Sequence, residues 1–195
     1  MSSCGQDKFI ANYFGEGYKG VALDVGACDG VFYSNTLLLE QQGWKVLCVE
    51  ANPLYREALS VNRKEHVICA VSDINKVMVP FNIFDGGSGP TGMPYASHSS
   101  LTYTTPTQVI STLQLTLDTL VDAWDISRDS YGVPKIDLLC IDIEGGEFKA
   151  LQGFNYKPQL ICIEHTYKPD GANWLLNNGY KLLTQLGDDS ICELL

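Results

Sequence analysis

The sequence predicts an α/β fold with a mainly parallel sheet, and three observations carry the prediction. Short apolar runs alternate with stretches of helical spacing along the whole chain. The run Val21-Ala22-Leu23 feeds a glycine turn, Asp24-Val25-Gly26-Ala27-Cys28-Asp29-Gly30, and then the helix-compatible Val31 to Glu40, the order of the first βα unit in a nucleotide-type fold. Successive runs also end in ionisable residues, at Glu50, Asp73, Asp142 and Glu164-His165, where an open α/β sheet places its ligands.

Composition narrows the possibilities. At 195 residues the chain is about one domain, long enough to bury a sizeable core. A formal charge of −10, with 13 unclustered Lys and Arg residues, disfavours a nucleic-acid partner, because that affinity comes largely from neutralising phosphates. The seven cysteines form no C-x-x-C pair, and Cys48, Cys69, Cys140, Cys162 and Cys192 fall in apolar strand-like runs, where cysteine acts as a small core residue. The expectation is a reduced, cytoplasmic protein. Met1 to Asp7 has no apolar signal-peptide core and no stretch approaches a membrane span, so neither secretion nor a membrane partner is expected.

In chain order, Gln6 to Gly17 is expected to form a leading helix packed on the sheet edge through Phe9, Ile10, Tyr13 and Phe14. The turn after the first strand then discriminates between cofactors. A dinucleotide site wants G-x-G-x-x-G, but the corresponding positions are Gly26, Cys28 and Val31. The pattern present is D-x-G-x-x-x-G, with Asp24 before the turn and Asp29 inside it. Carboxylates there repel a phosphate and suit a cationic cofactor carrying an ammonium group, S-adenosylmethionine (SAM). Asp24, Gly26, Ala27, Asp29 and Gly30 are therefore candidate cofactor contacts. An ordinary βα turn with acids as caps is the plainer alternative.

The helix ends near Gly43, and Trp44 to Val49 reads as a second strand stopping at Glu50, placed with Ala51 to meet the ribose of an adenosine. Asn52 caps a helix from Leu54 to Arg63 with Pro53 at its first position. His66 to Val71 is a third strand, after which Asp73, with Ser72 beside it, is placed to take the adenine amino group, against the equal alternative of a plain Asp in a turn before Asn75. Lys76 to Phe84 alternates as an edge strand, Pro80 arguing against a central place. Residues 85–107 form a Gly/Ser/Pro-rich insertion in which Tyr95, His98 and Tyr103 could meet an acceptor, against the alternative of a plain surface loop. Gln108 to Leu115 is a strand, and a helix capped by Thr116 or Asp118 follows.

Lys135 to Asp142 is the most continuous apolar run, as a central parallel strand should be. It leads into Ile143-Glu144-Gly145-Gly146-Glu147. Paired acids such as Asp142 and Glu144 at the end of a buried strand are costly unless they meet a cation, a proton or donors, which makes them candidate catalytic groups. The strand Gln159 to Glu164 ends at His165, a third candidate for acid–base work, and Asp142, Glu164 and His165 are the candidate metal ligands. A helix from Asn173 to Asn178 and two closing strands, the last antiparallel, complete the chain.

The series GQD (Gly5 to Asp7), DVGACDG (Asp24 to Gly30), SNT (Ser34 to Thr36), VEANP (Val49 to Pro53), AVSD (Ala70 to Asp73), TLDTL (Thr116 to Leu120), IDIEGGE (Ile141 to Glu147) and IEH (Ile163 to His165) resembles the FkbM-type methyltransferases over nearly the whole chain. The resemblance implies a Rossmann-like class I SAM-dependent methyltransferase with a seven-stranded sheet and helices on both faces. It implies transfer of a methyl group to a hydroxyl oxygen of a carbohydrate or glycan acceptor. The methionine part of SAM would then lie near Asp24, Gly26 and Asn35, with a base among Asp142, Glu144 and His165 acting directly or through a divalent cation such as Mg or Mn. A small secondary metabolite is the alternative acceptor, and a SAM-binding module without catalysis the alternative outside enzymes. The chain departs most from the family over Asp85 to Thr107.

Overall fold

The computed structural model describes residues 2–84, 95–97, 106, 108–165 and 170–195, except for the side chains of 84 and 95–97. Helix α1 (Gln6–Phe14) leads into β1 (Val21–Val25), α2 (Leu37–Gln41), β2 (Lys45–Glu50), α3 (Arg56–Asn62), β3 (Glu65–Ile68) and β4 (Ala70–Val71). Then come β5 (Lys76–Phe84), β6 (Tyr95–Ser97), β7 (Gln108–Leu115), α4 (Leu117–Ala123), β8 (Leu138–Ile141), α5 (Glu147–Gln152), β9 (Leu160–Glu164), α6 (Asp170–Asn177), β10 (Tyr180–Leu186) and β11 (Asp189–Leu194). The main sheet has seven strands in the order β10-β11-β9-β8-β1-β2-β3. All its pairings are parallel except those of β11, which runs antiparallel to both neighbours. This is the expected Rossmann-like architecture.

Strand periodicity builds a core on each face. In β1, β2, β8 and β9 the residues Ala22, Val46, Leu138 and Leu160 face one cluster with Ile10, Leu39 and Leu59 from α1, α2 and α3. Their successors Leu23, Leu47, Leu139 and Ile161 face the other, with Leu120, Leu151 and Leu175 from α4, α5 and α6. Helix α1 thus covers a face of the sheet rather than its edge.

Four local expectations need correction. The helix expected from Val31 begins only at Leu37. Asp29 Oδ1 accepts from Val31 N and Phe32 N at 2.9 and 2.8 Å, and Ser34 Oγ accepts from Thr36 N and Leu37 N at 3.2 and 3.0 Å, so side chains take the donors that a helix would use. The helix expected from Leu54 opens instead with a 3-10 turn over Pro53–Tyr55, its Asn52 cap as predicted, the side chain accepting from Leu54 N at 3.0 Å. The expected strand 66–71 is broken at Cys69, whose N–H donates to Glu50 O at 2.9 Å. Its second half, β4, joins a separate sheet in the order β4-β7-β5-β6. Strand β6 falls inside the expected insertion and, among the described residues, pairs with β5 over Asn82–Phe84. The edge place expected for Lys76 to Phe84 is therefore corrected: β5 lies between β7 and β6, and Pro80 stands opposite Ser111 of β7.

Candidate functional site

The sheet's connections run from β1 outward to β2 and β3, then return to β8 and β9 on the other side of β1. Ligand crevices form at such a reversal, beyond the carboxyl ends of the two flanking strands, here β1 and β8. The turns leaving these strands touch. A Cβ on Gly26, whose φ is 90°, would sit 1.7 Å from the Asp142 carbonyl oxygen, so only glycine fits where the two turns cross.

A buried cation holds the first turn. The Arg63 side chain is fully buried and donates through Nε to Glu40 at 3.1 Å, through Nη1 to Gly30 O and Ser34 Oγ at 3.0 and 3.2 Å, and through Nη2 to Thr36 Oγ1 at 2.8 Å. Its Nη1 lies 3.5 Å from Asp24 Oδ2, which also accepts from the Thr36 hydroxyl. Gly30 exists for this arginine, since a Cβ there would lie 2.5 Å from Arg63 Cγ. Sequence reading missed Arg63. The available signal was charge balance, because Asp24 and Glu40 on buried elements require a cation and few are present.

Glu50 closes the same turn. Its oxygens accept from Cys28 N at 2.9 Å and Asn52 N at 2.7 Å. Burial pushes its carboxyl above the usual range, and these backbone donors pull against that.

The second turn is acidic and strained. Glu144 has φ 59° and Gly145 φ 97°, which ends the two-residue alternation. Glu147, buried at the start of α5, accepts from Ile143 N and Gly145 N through Oε1 at 2.8 and 3.1 Å. Asp142 lies in the crevice, surrounded by protein yet open to solvent at the mouth. That enclosure, then the charges of Glu164 and Glu144, holds its carboxyl well above the ordinary carboxylate range.

Between the turns lies a cavity of about 180 Å³. Asp24, Glu50, Asp142 and Glu144 line it, no Lys or Arg is among its described lining, and Val49, Cys69, Val71 and Phe81 supply an apolar wall. Of the sequence-predicted residues, Asp24, Gly26, Ala27, Asn35, Glu50, Ala51, Asp142 and Glu144 are brought together here. Asp29 and Gly30 build the turn behind it. Ser72 and Asp73 lie outside the lining, the Ser72 hydroxyl donating to Asp73 at 3.0 Å. His165 is also outside it, with Nδ1 3.2 Å from Ser190 Oγ. Among the described residues, ligand atoms of Asp142, Glu147 and Glu164 lie within 4.8 Å of one another, so Glu147 rather than His165 joins the candidate metal ligands. Tyr95 is described only as backbone in β6, and His98 and Tyr103 lie outside the described residues.

The donor set fits a cationic, partly apolar ligand. Four acidic residues line the space, and among the described residues the side-chain oxygen of Asn35, buried on its lining, has no hydrogen-bond partner. Among the described residues no helix is long and apolar enough to cross a membrane. Compared with known proteins, residues 24–188 match the family model described as the methyltransferase FkbM domain. No curated protein matches the chain significantly.

Proposed function

Since the chain belongs to the FkbM methyltransferase family, we propose that this methyltransferase takes its methyl group from SAM and delivers it to a hydroxyl oxygen of a sugar or glycan. One observation carries the cofactor half of the reading. Four carboxylates and no Lys or Arg line the described part of the crevice, which favours a cationic ligand over a phosphorylated one.

Bound there, SAM supplies an electrophilic methyl on a positively charged sulfur. Glu50 retains lone pairs beyond its two backbone bonds and would hold the ribose hydroxyls. Val71, Cys69 and Phe81 would enclose the adenine, and Asp24 and Asn35 would face the ammonium end. A sugar hydroxyl is a weak nucleophile, so a base must take its proton. Asp142 is the group for this, because a carboxyl raised above its usual range accepts a proton more readily near neutral pH. Positioning the hydroxyl in line supplies most of the remaining rate. A divalent cation on Asp142, Glu147 and Glu164 would serve the same end by lowering the hydroxyl's pKa.

The test has two stages. Calorimetric titration with SAM and with a nicotinamide dinucleotide should give binding for the first alone, and binding of the dinucleotide alone would sink the cofactor reading. Mass spectrometry across a glycan library and a small-metabolite panel, with and without chelator, then reads methyl gain. Gain only on the small-metabolite panel overturns the glycan assignment.

A further inference from the structure

An aromatic side chain stands at the mouth of the crevice. Of the described lining, Asp142 and Tyr33 are the two exposed residues, and Tyr33 keeps 57% of its surface open. On the SAM reading the cofactor takes the buried part of the crevice. An acceptor must then approach Asp142 past the Tyr33 ring.

The ring is held in place from both sides. Residues 29–35 run between two anchors: Asn62 of α3 donates through Nδ2 to Asp29 O at 2.8 Å, and Asn35 Nδ2 lies 3.9 Å from Cys162 Sγ of β9. Between them Asp29 Oδ1 accepts from Phe32 N at 2.8 Å and the buried Arg63 donates to Ser34 Oγ at 3.2 Å, so both neighbours of Tyr33 are tied down. Tyr33 itself has φ 51°, a left-handed backbone that a bulky residue rarely adopts and glycine takes without strain. Its ring packs on Phe32, with centroids 3.8 Å apart and planes at 55°. Strain kept at an exposed position points to the side chain it presents.

The groups at this mouth match one class of acceptor. An aromatic face is electron-rich, so it attracts C–H groups polarised by neighbouring oxygens. A pyranose offers such a C–H face and carries hydroxyls around its edge. Tyr33 supplies the ring for the first, and Asp142 and Glu144, on the same lining, supply carboxyl oxygens for the second. An anionic acceptor would meet like charge there.

We propose that Tyr33, braced by Phe32, is an acceptor-binding residue that stacks on the C–H face of a neutral pyranose and so turns one of its hydroxyls toward Asp142. This rests on the proposed function above and adds to it the residue that selects the acceptor.

The test uses the full chain with the glycan library and, as the cofactor probe, S-adenosylhomocysteine. On the glycan that gains most methyl, Tyr33→Gly should raise the acceptor KM roughly tenfold, the loss of about one aromatic contact, and Tyr33→Phe, which keeps the ring, should recover most of that loss. Calorimetric titration should show S-adenosylhomocysteine bound by Tyr33→Gly within about twofold of wild type. Because glycine relieves the left-handed strain, Tyr33→Gly should melt no lower than wild type, which separates a lost contact from a lost fold. A clear fall in its Tm makes the ring structural and overturns the proposal. Weakened S-adenosylhomocysteine with an unmoved acceptor KM places the ring on the cofactor and also overturns it. Glycan methylation with neither constant moved overturns the stacking role and leaves the proposed function intact. No methyl gain on any glycan overturns both.

Discussion

The two turns that meet at Gly26 occupy equivalent places in the fold, each leaving the carboxyl end of a central parallel strand, yet they handle negative charge in opposite ways. After β1, Asp24 and Glu40 are compensated by Arg63, a fully buried guanidinium that also binds Gly30, Ser34 and Thr36. After β8, Asp142 lies among Glu144 and Glu164, and its carboxyl is pushed up as a result. The first turn spends its acids on rigidity. The second keeps them in mutual repulsion, where a proton, a cation or a ligand donor relieves them. On the proposed reading the first turn is the fixed cradle for the cofactor and the second supplies the basic group beside the acceptor hydroxyl.

Removing the cation should break the comparison hardest. Arg63→Met leaves Asp24 and Glu40 buried without their partner and should cost about 3–5 kcal/mol in urea unfolding. By contrast Lys181→Ala, which removes an exposed partner 2.7 Å from Glu193, should leave the urea midpoint essentially unchanged. A small loss for Arg63→Met would mean that the first turn is not held as argued. Next comes Gly26→Ala. A Cβ at 1.7 Å from a carbonyl oxygen cannot be relieved by a side-chain rotation, so the two turns must part, at a cost of roughly 3 kcal/mol or more together with cofactor binding. Gly132 has φ 80° and nothing within 4 Å of a Cβ, so Gly132→Ala isolates the backbone strain alone, about 1–2 kcal/mol. Similar losses at the two sites would refute the close-approach argument. Smaller again is Glu147→Ala, which leaves the Ile143 and Gly145 amides without their acceptor and should lower stability by about 1–3 kcal/mol.

These contrasts also mark what the sequence could reveal. β8 and β9 were legible because both faces are buried, so apolar residues are uninterrupted up to the acid at each end. Asp142 and Glu144 could be placed for the same reason, as could Gly26 and Glu50. The delayed start of α2 was not legible, because it depends on which backbone amides Asp29 and Ser34 capture. Ser72 and Asp73 were expected at the crevice because the strand before them was read as one piece. Val71 instead pairs with Leu115, and Ser72 N donates to Leu115 O at 3.1 Å, so the second sheet carries the chain past the crevice and leaves Cys69, Val71 and Phe81 as its apolar wall. Such a diversion is decided by pairing across more than 40 residues, which local periodicity does not encode. Arg63 was hidden in the same way, its partners coming from β1, α2 and the turn between them.

The smallest expected stability change is also the most diagnostic of the second turn. A carboxyl whose folded pKa is raised binds its proton more tightly in the native state than in the unfolded chain, where it titrates near 3.8. Its stabilising contribution is therefore complete below that value and is lost as pH rises through the folded pKa. Asp142→Asn removes the charge and with it this loss, so the variant should be more stable than wild type at neutral pH and no more stable below about pH 4. Because Asp142 reaches solvent at the crevice mouth, screening should keep the gain under about 1 kcal/mol, a Tm rise of a few degrees at most. Methyl transfer should fall on the order of 10²-fold or more in the same variant. Thermal melts across the pH range, paired with turnover of SAM, read both. A variant destabilised at neutral pH would mean that Asp142 is held by donors, as Asp24 is, and would erase the difference between the two turns.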